Sequence, residues 1–253
     1  MRIVFLLFML ISSLSCRKFV WDNPYDTTNP STEPASLKNG QIAYYPFNGN
    51  ANDESGNGNN GTVIRATLSS DRFGRNNNAF DFTNTGANIT TPLLAPKGKN
   101  TRSISFWFYT NEINNTDDQW IMVGYGGEFE FTNFYAGLWP TNSYVGVDIG
   151  ASYVVYNSDV IGKWHNLILM YDQSFGNTVA NVKTYLDGNL LQDVRLQTSN
   201  FEINTGNSSK RQFGFGPPIS PIQSQQTFRG KLDDIRVYNR LLTQEEITYL
   251  SKN

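Results

Sequence analysis

Residues 103–109 read Ser-Ile-Ser-Phe-Trp-Phe-Tyr, with Ile104, Phe106 and Phe108 on one face and Ser103, Ser105 and Trp107 on the other. Alternation with a period of two is the mark of a strand that buries one face. Such stretches recur. Residues 164–172 (WHNLILMYD) are apolar enough for a strand covered on both faces. Residues 182–186 lead into Asp187-Gly188, a hairpin signal, and the chain returns through 189–191. Residues 232–238 (LDDIRVY) alternate again, which places Asp233 with Ile235 and Val237, and Leu232 with Asp234, Arg236 and Tyr238. Frequent short strands with little helical periodicity between them predict an all-β, two-sheet antiparallel sandwich of jelly-roll type.

One helix is expected, at the end of the chain. Thr243-Gln-Glu-Glu246 is a capping box: the Thr243 hydroxyl takes the Glu246 N–H, and the Glu246 carboxylate reaches back. Leu242 and Ile247 form a hydrophobic staple, and Leu250 continues their stripe, so this short helix should pack on the sandwich.

The N-terminus reads differently. Residues 3–11 are a continuous apolar run after Met1-Arg2, shorter than the roughly 20 residues needed to span a bilayer. It predicts a secretory signal over residues 1–15. Cys16, the only cysteine, has no disulfide partner and follows Ser15, which resembles a bacterial lipoprotein signal. That resemblance implies lipidation of Cys16 and a membrane anchor, in the periplasm or on the outer cell surface. Residues 16–38 carry Pro24, Pro30 and Pro34 among Asn, Thr and Ser, as a tether would. The expected domain is 39–253. The chain's 13 Tyr, 17 Phe and 5 Trp offer ample core material, and its net charge of −2 argues against a nucleic-acid partner.

The opening segment AYYPFNGNANDESGNGNNGTV and the closing segment FRGKLDDIRVYNRLLTQEEI resemble the LamG-like, concanavalin A-like jelly-roll domains of secreted bacterial proteins. SISFWFY, GKWHNLILMYD and YLDGNLL resemble the internal strands of that family. The resemblance extends over nearly all of 38–253. It carries the fold further than the function, because this scaffold serves lectins, adhesins and glycoside hydrolases alike.

The loop after Tyr44-Tyr45 holds Asp53, Ser55, Asn57 and Gly58 at EF-hand-like spacing, but Ile64 stands where a bidentate Glu is required. An EF-hand is excluded. The resemblance to laminarinase-like jelly rolls implies instead that Asp233 binds a structural Ca²⁺ together with this loop, with Asp53, Asn48 and Asn50 as further oxygen donors. A turn in which Asp53 caps its own backbone fits the same residues.

Catalysis finds little support. The laminarinase-type active strand carries Glu-x-Asp, and no Glu in this chain has Asp two positions on. Glu128 and Glu130 alternate onto one face, but Phe129 and Phe131 beside them read as the buried side. The single histidine, His165, supports neither a triad nor a multi-histidine zinc site and is expected to be a hydrogen-bonded structural residue. The expected role is non-catalytic carbohydrate binding by loop aromatics, with Trp139, Tyr144 and Trp120 as candidates, since rings stack on pyranose faces. The same three residues also suit the sandwich core. A protein-binding adhesion or assembly module on the cell surface is the alternative, because exposed Tyr and Trp are interface anchors too.

Overall fold

The structure is a computed structural model that describes residues 33–94, 96–111, 120–125, 134–139, 144–148, 153–157, 159–197, 202–205, 212–216 and 228–253. Residues 1–15, expected to be a signal, Cys16 and the pair Glu128 and Glu130 lie outside these residues.

The strands, in chain order, begin with β1 (Gln41–Tyr45), β2 (Thr62–Ile64), β3 (Thr67–Ser69), β4 (Ala79–Asp81) and β5 (Asn88–Leu94). They continue with β6 (Arg102–Tyr109), β7 (Trp120–Tyr125), β8 (Phe134–Trp139), β9 (Tyr144–Asp148), β10 (Tyr153–Asn157) and β11 (Trp164–Tyr171). The last are β12 (Lys183–Leu186), β13 (Asn189–Leu190), β14 (Val194–Gln197), β15 (Gln212–Phe215) and β16 (Lys231–Tyr238), followed by helix α1 (Gln244–Leu250).

Two antiparallel sheets result. The first runs β13-β12-β11-β6-β16-β4-β3, with β1 also paired to β16. The second runs β14-β10-β9-β8-β7-β15-β5-β2. Runs of consecutive strands (β11 to β13, β7 to β10) are interrupted by long-range pairings, and the first and last strands, β1 and β16, meet side by side. This is the two-sheet sandwich expected from the alternation.

Alternation decides the core. Ile104, Phe106 and Phe108 of β6 and Leu167, Leu169 and Tyr171 of β11 face the second sheet, all fully buried. Tyr45 of β1 packs edge-on to Phe215 of β15 at 4.8 Å between ring centres, so aromatic contacts bridge the two sheets. The other face of β11 is covered as well. Ile168 and Met170 join Tyr238, Leu242, Ile247 and Leu250 in a smaller cluster beneath α1. That double cover is why residues 164–171 lack polar alternation.

α1 begins as its sequence requires. Thr243 Oγ1 accepts the Glu246 N–H at 3.2 Å, and Glu246 Oε2 accepts the Thr243 N–H at 2.8 Å. Arg240 adds an ion pair to Glu246 at 2.7 Å. Burial pushes the Glu246 carboxyl up, but Arg240 and the Thr243 N–H outweigh it and hold the pKa at about 2. The tight turn between β12 and β13 places Asp187 and Gly188 at φ of +51° and +79°, the paired left-handed conformation that Asp-Gly hairpins favour.

The packed domain starts earlier than residue 39. Residues 35–38 form a short 3-10 turn whose Leu37 is fully buried under α1, and Glu33 pairs with Arg236 at 2.6 Å. Residues 33–38, expected in the tether, therefore belong to the domain, because Leu37 supplies apolar area that the helix needs.

Candidate functional site

Strand register brings the three candidate positions onto neighbouring strands. Trp139 ends β8 and pairs with Tyr144, the first residue of β9, while Trp120 opens β7 opposite Leu138. Their backbones thus share one end of three adjacent strands, although 19 positions separate Trp120 from Trp139 in sequence.

The candidate metal ligands behave differently. Asp53 Oδ1 accepts the N–H groups of Tyr44 at 3.0 Å and Ser55 at 2.9 Å, and Oδ2 accepts that of Asn59 at 2.9 Å. Burial alone would raise its pKa, but hydrogen bonds from Ser55, Tyr44 and Asn59 outweigh it and hold the carboxyl below its ordinary range. Asn50 is also occupied locally: its Oδ1 accepts the Asn52 N–H at 2.8 Å, and its Nδ2 reaches the Asn48 carbonyl at 3.4 Å. The loop is a folded turn organised around the Asp53 carboxylate.

Asp233 is not on the core face with Ile235 and Val237. The register of β16 against β6 shifts between Asp233 and Arg236, and Asp234 takes φ of +47°, the signature of a bulge. One extra residue reverses the alternation, so Leu232, Ile235 and Val237 face the core and Asp233 turns to the opposite side. There Arg72 meets it at 2.7 Å and meets Asp234 at 2.6 Å. The guanidinium also reaches the Asn253 carbonyl and lies 4.5 and 4.7 Å from the ring centres of Phe73 and Trp107.

These residues do not fit a shared calcium ion. Tyr44 donates its N–H to Asp53 and its hydroxyl to Asp234, the neighbour of Asp233, at 3.0 Å. Three backbone donors occupy Asp53, and Arg72 already pairs with both Asp233 and Asp234. Among the described residues no group of three or more acidic, histidine or cysteine side chains gathers as a metal shell. Arg72 was invisible in the sequence because its partner lies 161 positions away.

His165 is hydrogen-bonded, as expected. Its Nδ1 lies 2.7 Å from Asp187 Oδ2, while Asp187 Oδ1 accepts the Asn166 N–H at 2.9 Å. Asp187 so ties the hairpin turn to β11, and the imidazole packs near Phe108.

The two antiparallel sheets and the short C-terminal helix define a jelly-roll sandwich. Residues 81–248 match the family model Laminin_G_3, described as the concanavalin A-like lectin/glucanases superfamily, and the chain belongs to that family. Domain 4 of AbnA, a GH43 extracellular arabinanase from Geobacillus stearothermophilus solved with arabinotriose, is similar in structure at 19% identity and a TM-score of 0.60. That match covers 83% of this chain and 98% of the arabinanase domain. The ligand-binding domain of botulinum neurotoxin serotype D, solved with N-acetylneuraminic acid, is similar at 16% identity and a TM-score of 0.61, over 86% of this chain. The chain spans about half of that neurotoxin domain, 52% of its length. At these identities the likeness is one of fold. No curated protein matches the chain by sequence.

Proposed function

We propose that this is a non-catalytic, lipid-anchored protein of the cell envelope whose jelly-roll domain binds carbohydrate. The observation that carries the reading is the register that sets Trp139 against Tyr144 at the end of β8 and β9, close to the start of β7 at Trp120. Aromatic rings at a sheet end are the groups that stack on sugar faces, and neighbouring polar side chains fix hydroxyls. Membership of a lectin/glucanase superfamily supports this, as do similar folds solved with arabinotriose and N-acetylneuraminic acid. Cys16 would carry the lipid and hold the domain at a membrane surface.

A protein-binding role is the second reading. Val63 and Ile64 of β2 and Leu68 of β3 are apolar and exposed on short edge strands, where a partner could dock. A glycan array separates the two. Reproducible binding that falls in Trp139→Ala and Tyr144→Ala is the expected result. A blank array from folded protein would move the assignment to protein binding.

A further inference from the structure

At the other end of the sandwich lies a cleft of about 600 Å³, lined by Ile42, Leu94, Pro96, Lys99, Asn100, Thr101, Asp172, Gln173 and Asn239. Leu94 pairs with Gln212, and β15 leads through Phe213 and Tyr125 to Phe134, the start of β8. Trp139 is five residues further along that strand, about 17 Å away at strand rise. The cleft and the aromatic end are therefore separate places.

We propose that this cleft is a subsite for a short neutral saccharide. Its size falls in the ~300–1,000 Å³ range of small-ligand sites. Its chemistry suits a polyol. The side-chain amides of Asn100, Gln173 and Asn239 make no hydrogen bond among the described residues, so their donors and acceptors are free for hydroxyl groups. Asp172 is pre-oriented, its Oδ1 accepting the Ser174 N–H at 2.9 Å and its Oδ2 accepting the Thr101 hydroxyl. Leu94, 47% exposed, supplies with Ile42 and Pro96 an apolar surface for sugar C–H groups.

The charge pattern selects a neutral ligand. Among the described residues Lys99 is the one cation on the lining, and Glu202 holds it at 2.7 Å. Asp172 adds a negative charge that an acidic sugar would have to approach.

The wall is preformed, which lowers the ordering cost of binding. Arg102, fully buried behind it, donates to the carbonyls of Gly98 and Asn100 at 2.8 Å each. Thr205 bonds the Pro96 carbonyl at 2.6 Å and exchanges backbone hydrogen bonds with Gly98. No free amide takes part in this bracing, so truncating the amides should leave the fold intact.

The proposal deepens the carbohydrate reading by giving it a second place and a ligand class. Its test is titration of the ¹⁵N-labelled protein with arabinotriose, xylotriose and maltotriose, with N-acetylneuraminic acid as the acidic counter-probe. At least one neutral trisaccharide should shift the amides of residues 99–101, 172–173 and 239. The combined Asn100→Ala, Gln173→Ala, Asn239→Ala variant should melt like wild type and bind about tenfold or more weakly. Shifts confined to residues near 120, 139 and 144 would overturn the cleft and leave carbohydrate binding standing. Preferential binding of the acidic sugar in the cleft would overturn the neutral class. No trisaccharide binding at all would overturn the cleft, and a blank glycan array as well would remove the broader reading with it.

Discussion

Asp53 and Asp233 are both buried aspartates beside β1, and the protein neutralises them in opposite ways. Asp53 collects three backbone N–H donors from its own turn and the neighbouring strand. Asp233 sits next to Asp234 and shares one guanidinium, that of Arg72. Burial and the adjacent Asp234 charge push the Asp233 carboxyl up to about 8, and Arg72 opposes them only in part. Amide dipoles held by the fold stabilise a carboxylate without adding a second charge. Two acids facing one cation resist ionising together, as coupled carboxylates do.

The sharpest way to break this comparison is Arg72→Met. It leaves the buried Asp233 and the half-buried Asp234 without their cation and should cost about 3–5 kcal/mol in chemical denaturation. Asp53→Ala strands backbone donors instead, and a smaller loss of about 2–3 kcal/mol is expected. A loss from Arg72→Met no larger than that from Asp53→Ala would show that Arg72 does not hold the acidic pair.

Next comes pH, where the two acids should act with opposite signs. The folded pKa of Asp233 lies above its ordinary 3.8, so its contribution is complete below about 4 and lost as pH rises towards 8. Asp53 has a depressed pKa, so its contribution is present above about 4 and lost as pH falls through the folded value. Stability curves should therefore flatten between pH 4 and 8 in Asp233→Asn, and below pH 4 in Asp53→Asn. Identical curves for both variants would contradict the assignment. The smallest effect is expected from EDTA, which should leave the melting temperature of wild type unchanged, because Arg72 supplies the cation at this site.

Local patterns carried most of the fold. The alternation of β6, the apolar run of β11, the Asp187-Gly188 turn and the Thr243–Glu246 capping box each have a sequence period or spacing that sterics enforce. The bulge at Asp234 was hidden, because Asp-Asp-Ile-Arg-Val alternates on paper whether or not a residue is inserted. That single insertion moved Asp233 from the core face to Arg72. The cleft was equally hidden, being assembled from β1, the β5–β6 connection, residues 172–173 and Asn239, with no motif in any one of them. Leu37 was masked by the prolines before it, which read as tether until α1 came down on it. Of the candidate site, the aromatic residues were legible in the sequence, whereas their placement on neighbouring strands came from register set by long-range pairing.

We propose that this domain binds sugar without a metal ion, while the buried Asp53 and Asp233 serve the fold. The direct measurement is a glycan array of the purified protein, run once with Ca²⁺ and once with EDTA. The account predicts reproducible binding of equal strength in both conditions. Binding abolished by EDTA, or none in either condition, would contradict it.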